Sequence, residues 1–527
     1  MPLILVKRPA GTLEVPCPEG QSLLAALEGT DCLPRADCGG RGVCGLCRIT
    51  VAVPAALPPT GRERATLPPQ AIARGLRLAC QAKPLTDITV FVAPGPARGL
   101  WTEIGDLPPP LRPPEQAGGA GLGIAIDLGS TNIRASLLDL DRGRRLAAVL
   151  GHNPQRRYGS DILTRIARAR DAPEAARRMQ EETRRALGEA IAALFARDVS
   201  GAARRSAVTR VRLVGNTAVL SLLAGDGFAA LLDPESWNRR LPCGLGDPGP
   251  WRRAWRLDDG ADLALCGPLG GFIGSDLTAG VIGSGLTRAP APALLIDFGT
   301  NTEIALWDGT GLLAAAAAGG PAFEGSGISS GAPAGPGAVH RVTWSAAAER
   351  PELAVIGGGA PLGLCGSGLV DAVAGLRRAG LLSASGRMDG TIPRSGFAFT
   401  DGADGLRLSR SDIDVFQRAK AAVAAGAAAL LRRAGVTAAD LCCVMVSGVF
   451  GRHLDPLQAQ AIGLLPSTGP GRTVAVADSA LRGCERLLAA EGAALQAALE
   501  RQVRTINLAG EADYEELFID HLKLAPF

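Results

Sequence analysis

The sequence predicts a multidomain chain: a small α+β domain, a proline-rich linker, and a duplicated α/β domain behind it. Three observations predict it. Cys38, Cys44 and Cys47 share one glycine-padded loop, and a fourth thiol, Cys80, follows later. Between 94 and 120 the composition turns abruptly to proline, glycine and alanine. Beyond that break one strand-and-turn pattern occurs twice, from Ile124 to Asn132 and from Leu294 to Glu303.

At 527 residues the chain is too long for one core, and a prior of ~150 residues per domain suggests three or four folded units. Hydrophobic residues at 47% and charged residues at 20% give a globular balance. A net charge of +4 gives no footprint for nucleic acid or a membrane surface. Lysine stands only at 7, 83, 420 and 523, a bias that fits genomic base composition better than recognition. No stretch has the succession of a signal peptide, and no apolar run reaches the ~20 residues of a spanning helix, so a cytoplasmic location is expected. There the 12 cysteines are not a disulfide framework, and their clustered subset reads as metal-binding. Cys17, Cys32, Cys243, Cys266, Cys365, Cys442, Cys443 and Cys484 are expected as small buried hydrophobes. The four histidines, at 152, 340, 453 and 521, show no ligand spacing.

The first domain reads as a hairpin of Leu3 to Val6 and Thr12 to Val15 turning through Ala10-Gly11, then a short helix from Ser22 to Glu28. The cysteine loop follows, then strands at 48–53 and 87–92. Its spacing, C-x5-C-x2-C with a distant fourth cysteine, lies close to the plant-type pattern that holds a 2Fe-2S cluster. Thiolates suit such clusters as soft anionic ligands. Gly39, Gly40, Gly42 and Gly45 supply positive φ and free N–H groups for a chain wrapping a small core. Two close cysteine pairs would argue for zinc instead; here three ligands sit together and one stands alone. The arrangement resembles the ferredoxin β-grasp, and the x5 spacing is nearer its adrenodoxin-like branch.

From 94 to 120, with Leu107-Pro-Pro-Pro-Leu-Arg-Pro-Pro114 at the centre, the chain reads as a semi-stiff linker extending ~3.1 Å per residue. The domains are therefore expected at 1–93 and 121–527, with the linker between.

In each copy of the repeated pattern a buried strand ends in aspartate, a glycine turn carries hydroxyl and amide side chains, and a second strand follows. Turn N–H groups and hydroxyls bond phosphoryl oxygens, and an aspartate at the strand end can hold Mg²⁺ through water. Asp127 and Asp297 are thus the candidate catalytic residues. Gly129, Ser130, Thr131 and Asn132 in one loop, and Gly299, Thr300, Asn301 and Thr302 in the other, are the candidate nucleotide contacts. These paired loops, with the strand and turn Cys443-Val-Met-Val-Ser447-Gly448, resemble the acetate and sugar kinase, heat-shock chaperone and actin (ASKHA) superfamily, a ribonuclease H-like duplicated fold. That resemblance implies ATP and Mg²⁺, with Ser447 and Gly448 in the adenosine loop. Gly366 and Gly368 open a helix whose N-terminus can receive a phosphate or carry a plain cap. Between the loops, 161–198 reads as one helix and 211–217 as a strand and turn; Ala314 to Ala318 reads as a buried strand or turn, and 411–433 as a long helix.

Taken together, Arg35 to Cys47, Asn153-Pro-Gln155, Tyr158-Gly-Ser-Asp161, Gly215-Asn-Thr217, Gly270 to Asp276, Gly320 to Gly325, Leu364 to Gly368 and Ile462 to Pro466 resemble the reductive activators of corrinoid proteins (RACo) over nearly the whole chain. The resemblance implies ATP-dependent return of a Co(II) corrinoid protein, in a methyltransferase system or methionine synthase, to Co(I), with an electron relayed from an upstream donor. Described members carry a small middle domain used for dimer contacts. Here the first phosphate strand begins right after Gly121, which leaves no place for that domain and leaves a homodimer open. Other readings are a small-molecule kinase with a redox-sensing front domain, an ATP-gated electron donor to a different enzyme, and a chaperone-like ATPase.

Overall fold

Alternating apolar residues at the start of the chain build the expected hairpin. β1 (Leu3–Arg8) pairs antiparallel with β2 (Gly11–Pro16), Arg8 opposite Gly11. The structure is a computed structural model that describes every residue except 9–10, 28–29, 31, 33, 35, 37–39, 43–44, 46, 93–100, 111–120, 160, 199–203, 345–349 and 403–404. Three further strands, β3 (Arg48–Val51), β4 (Leu76–Leu78) and β5 (Ile88–Phe91), complete a sheet in the order β2-β1-β5-β3-β4. β1 runs parallel to β5, and β3 antiparallel to both β4 and β5. The helix Leu23–Ala26, capped by Ser22, supplies Leu23 and Leu24 to a core with Ile4, Val6, Ile49, Leu78 and Val90. This is the β-grasp ferredoxin fold, with β4 too short to show in the hydrophobic pattern.

The chain divides into two compact units, 1–101 with 151–186, and 102–150 with 187–527. The expected linker is structured in part. Within it Thr102–Glu103 (β6) pairs with β9 (Arg144–His152), while 93–100 and 111–120 lie outside the described residues.

The repeated pattern folds as two sheets of one topology. In the first, β7 (Leu122–Leu128) pairs antiparallel with β8 (Asn132–Asp139), and β10 (Val208–Gly215) runs parallel to β7 and to β11 (Asp262–Leu265). The sheet order is β11-β10-β7-β8-β9-β6. In the second, β12 (Ala293–Phe298), β13 (Thr302–Trp307) and β14 (Leu312–Ala317) form an antiparallel meander. Cys443–Ser447 runs parallel to β12, and Thr473–Ala475 parallel to it in turn. Each sheet has one further strand beside its third, β6 in the first and Val503–Thr505 in the second; the other five, counted along the chain, read fifth, fourth, first, second, third in both, which is the duplicated ribonuclease H-like arrangement. β7 is buried at all its positions, as a strand covered on both faces must be.

Several expectations are corrected. The single helix expected over 161–198 is two, Ile162–Asp171 and Pro173–Ala196. Pro173 lacks an N–H and pushes Ala172 into extended backbone at φ −138, ψ 94. The alanine run is a largely buried strand, β14, one of the two forms expected of it. Cys442 is exposed, and Cys243 and Cys443 are half-buried, rather than buried. The long helix Arg410–Ala434 is capped by Ser409 with Asp412 and stopped by Gly435 at φ 69. Among the described residues no helix is long and apolar enough to cross a membrane.

Two helices tie the two sheets together. Ser275–Ser284 and Ser479–Leu487 cross at glycines: a Cβ on Gly283 would stand 1.9 Å from the Ser479 carbonyl oxygen, and one on Gly483 1.8 Å from that of Ala279. Nothing larger than glycine fits a backbone-to-backbone crossing this close.

Candidate functional site

The cysteine site is built by strand register. Arg48 of β3 pairs with Leu78 of β4, and Ala79 N–H donates to the Cys47 carbonyl at 2.7 Å. Residues far apart in sequence, Cys47 and Cys80, thereby meet at one end of the sheet, both buried. β4 is held from behind by two buried charges. Glu63 accepts from Leu78 N–H at 2.6 Å while closing its own helix cap with Thr60. The Arg77 guanidinium donates to the carbonyls of Leu57, Ile72, Leu76 and Pro54.

The loop between is anchored by side-chain donors. Thr66 Oγ1 donates to the Gly42 carbonyl at 3.1 Å, Arg48 Nε to Gly45 at 2.7 Å, and Gln81 Nε2 both to Gly40 at 3.3 Å and to Cys80 Sγ at 3.5 Å. Gly40, Gly42 and Gly45 have φ of 90, 75 and 67, the left-handed backbone expected of them. The Cys47 thiol, then the Gln81 amide and the Gly42 N–H, bring the Cys80 thiol down to about 6 against the opposing effect of burial. A pair of buried cysteines, one of them, Cys80, favoured as thiolate and faced by amide donors, fits a 2Fe-2S cluster. Cys47 and Cys80 would hold it together with Cys38 and Cys44, which lie outside the described residues.

The second site lies at the ends of the paired strands. Register places Asp127 opposite Arg134 and Asp297 opposite Glu303. Asp297 also stands beside Ser447 across the parallel pair. Burial, opposed by Arg134, lifts the Asp127 carboxyl to about 6; burial and the Asp127 charge lift Asp297 to about 7. Asp276, on the first turn of the Ser275–Ser284 helix, is pushed up to about 8 by burial and by the Asp127 and Asp297 charges, Glu303 is pushed up by burial and by Asp276, and the two share a hydrogen bond. Glu303 also accepts the Gly274 N–H at 2.9 Å. Arg134 places a cation among them, reaching Asp127 at 3.6 Å and Asp478 at 3.1 Å. Ionised carboxylates crowded in low dielectric are costly, and among the described residues no three Asp, Glu, His or Cys side chains are grouped so as to hold a metal ion by themselves.

The hydroxyl residues converge as well. Thr131 Oγ1 and Thr300 Oγ1, one from each loop, are 2.9 Å apart, and Ser130 is buried beside them in sequence. A Cβ on Gly129 would stand 2.8 Å from the Asn132 carbonyl, and one on Gly299 3.0 Å from that of Asn301, so both turns are tight. Asn301 Nδ2 and Thr302 Oγ1 are buried without a hydrogen-bond partner. Gly448, at φ 86, lies against the Phe298 carbonyl and Asp297 and opens a helix, Gly448–His453, where a turn was expected. Ser447 Oγ meets Ser479 Oγ at 2.5 Å. Gly366 and Gly368 start the helix Gly366–Arg378, but both are buried, facing Phe450 and the Val339 carbonyl respectively. Close packing explains both glycines, against helical residues at Gly366 and against a strand at Gly368.

Sequence reasoning missed Arg134, Asp276, Glu303, Glu324 and Asp478. Strand register brings Arg134 and Glu303 to the loops, the two crossing helices bring Asp276 and Asp478, and the end of the short helix Gly320–Phe323 brings Glu324. The signal for Glu303 was present, since a tight turn after Asp297 fixes the residue opposite it.

Three family models match the chain: the 2Fe-2S iron-sulfur cluster binding domain over residues 8–85, the RACo middle region over 122–236, and the C-terminal domain of RACo, the ASKHA domain, over 291–526. The middle match corrects the expectation that this region is missing, because it begins on the first phosphate strand itself and runs through β10. The corrinoid activation enzyme RamQ of Eubacterium limosum is 30% identical over 430 residues, covering 75% of this chain and 69% of the relative. The Co(II) methylated amine-specific corrinoid protein reductase of Methanosarcina barkeri is 25% identical over 375 residues, covering 65% of this chain and 66% of its own length. A solved reductive activator for corrinoid, iron-sulfur protein has a similar fold, with a TM-score of 0.63, 24% identity, and coverage of 99% of this chain and 98% of that one.

Proposed function

The chain belongs to the reductive activators of corrinoid proteins, the RACo family, and on that premise we propose that it returns the inactive Co(II) form of a corrinoid protein to Co(I) with ATP as the driving force. The corrinoid protein serves a methyltransferase or a methionine synthase, and an upstream donor supplies the electron. One observation carries the reading: the same chain joins a thiolate-lined ferredoxin site to a duplicated pair of loops converging on buried carboxylates.

When bound, a 2Fe-2S cluster supplies a one-electron carrier at about −400 mV. Reaching Co(I) from there is uphill, and ~100 mV on one electron is ~2.3 kcal/mol. A shortfall of that order lies within reach of differential binding, because a ligand shifts an equilibrium only by its difference in affinity for the two states. In this reading Asp127 and Asp297 hold Mg²⁺ through water with ATP bound, and the hydroxyls and turn N–H groups of 129–132 and 299–302 hold its phosphates. Ser447 and Gly448 lie on the adenosine side. The nucleotide-bound domain grips the Co(II) partner and weakens the axial ligand, which raises the cobalt potential. Domains at 1–93 and 121–527 joined through 94–120 belong to this proposal.

The test uses purified protein, Mg-ATP, a chemical reductant and a Co(II) corrinoid protein. Appearance of the Co(I) visible spectrum only when ATP is present is the expected result. An unchanged spectrum, or reduction equally fast without ATP, would sink the proposal.

A further inference from the structure

Thr131 and Thr300 do not merely touch. Glu324 accepts from Thr131 at 3.2 Å through Oε1 and 3.1 Å through Oε2, and from Thr300 at 3.1 Å through Oε1. A threonine hydroxyl has one hydrogen to give, and an anionic oxygen is a stronger acceptor than a neighbouring hydroxyl. Both hydrogens are therefore committed to Glu324. The carboxylate meets the two loops as a phosphoryl group would, with negative oxygens facing one hydroxyl from each side. At 2.9 Å apart, the two hydroxyls also leave no room for a phosphoryl group between them.

The chain around Glu324 ties this contact to its surroundings. Glu324 directly follows the short helix Gly320–Phe323. Phe323 stacks on Phe450 at 4.9 Å and meets Phe298 and Phe416 edge-on, each at 5.9 Å. Phe298 adjoins the second loop, Phe450 follows the Ser447-Gly448 turn, and Phe416 lies on the Arg410–Ala434 helix. On the other side Gly325 takes φ 84, and a Cβ there would stand 2.5 Å from the Ala332 nitrogen.

We propose that Glu324 makes the two loops respond to a nucleoside triphosphate and not to a diphosphate, at a cost in triphosphate affinity, by occupying the two threonine hydroxyls until a terminal phosphate displaces it. The proposal rests on the reading of the Thr131 and Thr300 loops as phosphate-binding. A diphosphate lacks the group that competes for these hydroxyls, so it leaves Glu324 in place. A triphosphate takes the hydroxyls, and like-charge repulsion drives the carboxylate and the adjoining Phe323 away.

Titration calorimetry on the full chain tests this with Mg-ADP and with the non-hydrolysable triphosphate Mg-AMPPNP, on wild type, Glu324→Gln and Glu324→Ala. Glu324→Gln keeps the shape of the side chain and guards against a folding artefact. Both variants should bind AMPPNP more tightly, on the order of tenfold, the factor commanded by one charge-assisted hydrogen bond, while ADP affinity stays within about twofold. In wild type, hydrogen exchange over 320–328 should rise with AMPPNP and not with ADP. Equal shifts for both nucleotides, or a selective loss of AMPPNP affinity, would overturn the proposal alone. Absence of binding by either nucleotide to any form would overturn the phosphate-loop reading and this proposal with it.

Discussion

Asp276 and Glu303 share a hydrogen bond between two carboxyl groups, so one of them carries a proton in the nucleotide-free protein. Their neighbours Asp127 and Asp297 are lifted to about 6 and about 7. An acid whose folded value lies above its unfolded value binds protons preferentially in the native state. The cluster's contribution to stability is therefore fullest at low pH and is lost as pH rises through these values. Nucleotide-free wild type should lose more melting temperature between about pH 6 and about pH 8 than Asp276→Asn does. Mg²⁺ with nucleotide needs the carboxylates ionised, so the stabilisation it gives should grow over the same interval. Parallel wild-type and variant profiles would refute this.

The two sites should be separable by substitution. Cys80→Ser should abolish the visible absorption of the bound cluster and electron delivery while leaving nucleotide affinity in calorimetry unchanged. Asp297→Ala should keep the absorption spectrum and lose Mg-nucleotide binding.

Gln81 gives one amide hydrogen to the Gly40 carbonyl and another to Cys80 Sγ. Hydrogen bonds to a ligand sulfur favour the more negative, reduced state and so raise the potential. Gln81→Leu should lower the midpoint by roughly 40 mV, taking ~1 kcal/mol for the lost bond and ~2.3 kcal/mol per 100 mV. An EPR-monitored redox titration reads this directly, and an unmoved midpoint would show the amide to be structural only.

The crossing of Ser275–Ser284 over Ser479–Leu487 has no room for a methyl group at Gly483. Gly483→Ala should cost ~1–3 kcal/mol by overpacking in denaturant unfolding of the cluster-loaded protein. Gly510, with open space where its Cβ would stand, is the control, and Gly510→Ala should change little.

Much of this molecule was legible because its chemistry is local. Cys38, Cys44, Cys47 and Cys80 declare themselves by residue type and spacing. The glycines among them declare the backbone they need, and the repeated Asp-x-Gly turns declare a duplicated strand pair. The break at Pro173 was equally visible and was read through, because the amphipathic pattern continues on both sides of it. The short strand β4 was not visible, since three residues carry too little alternation to stand out.

By itself, the sequence determined a clustered cysteine loop, two Asp-x-Gly turns after apolar strands, and the order in which the chain carries them. Only the tertiary structure decided which charges surround the turns. Asp127 faces Arg134 while Asp297 faces Glu303, a difference set by strand register. Asp276 and Asp478 arrive on two helices that can cross only because Gly283 and Gly483 lack side chains. Glu324 joins Thr131 to Thr300 across a separation that no local pattern spans. Residue spacing encodes what one loop can hold, whereas a site assembled from several elements exists only once packing has fixed their distances.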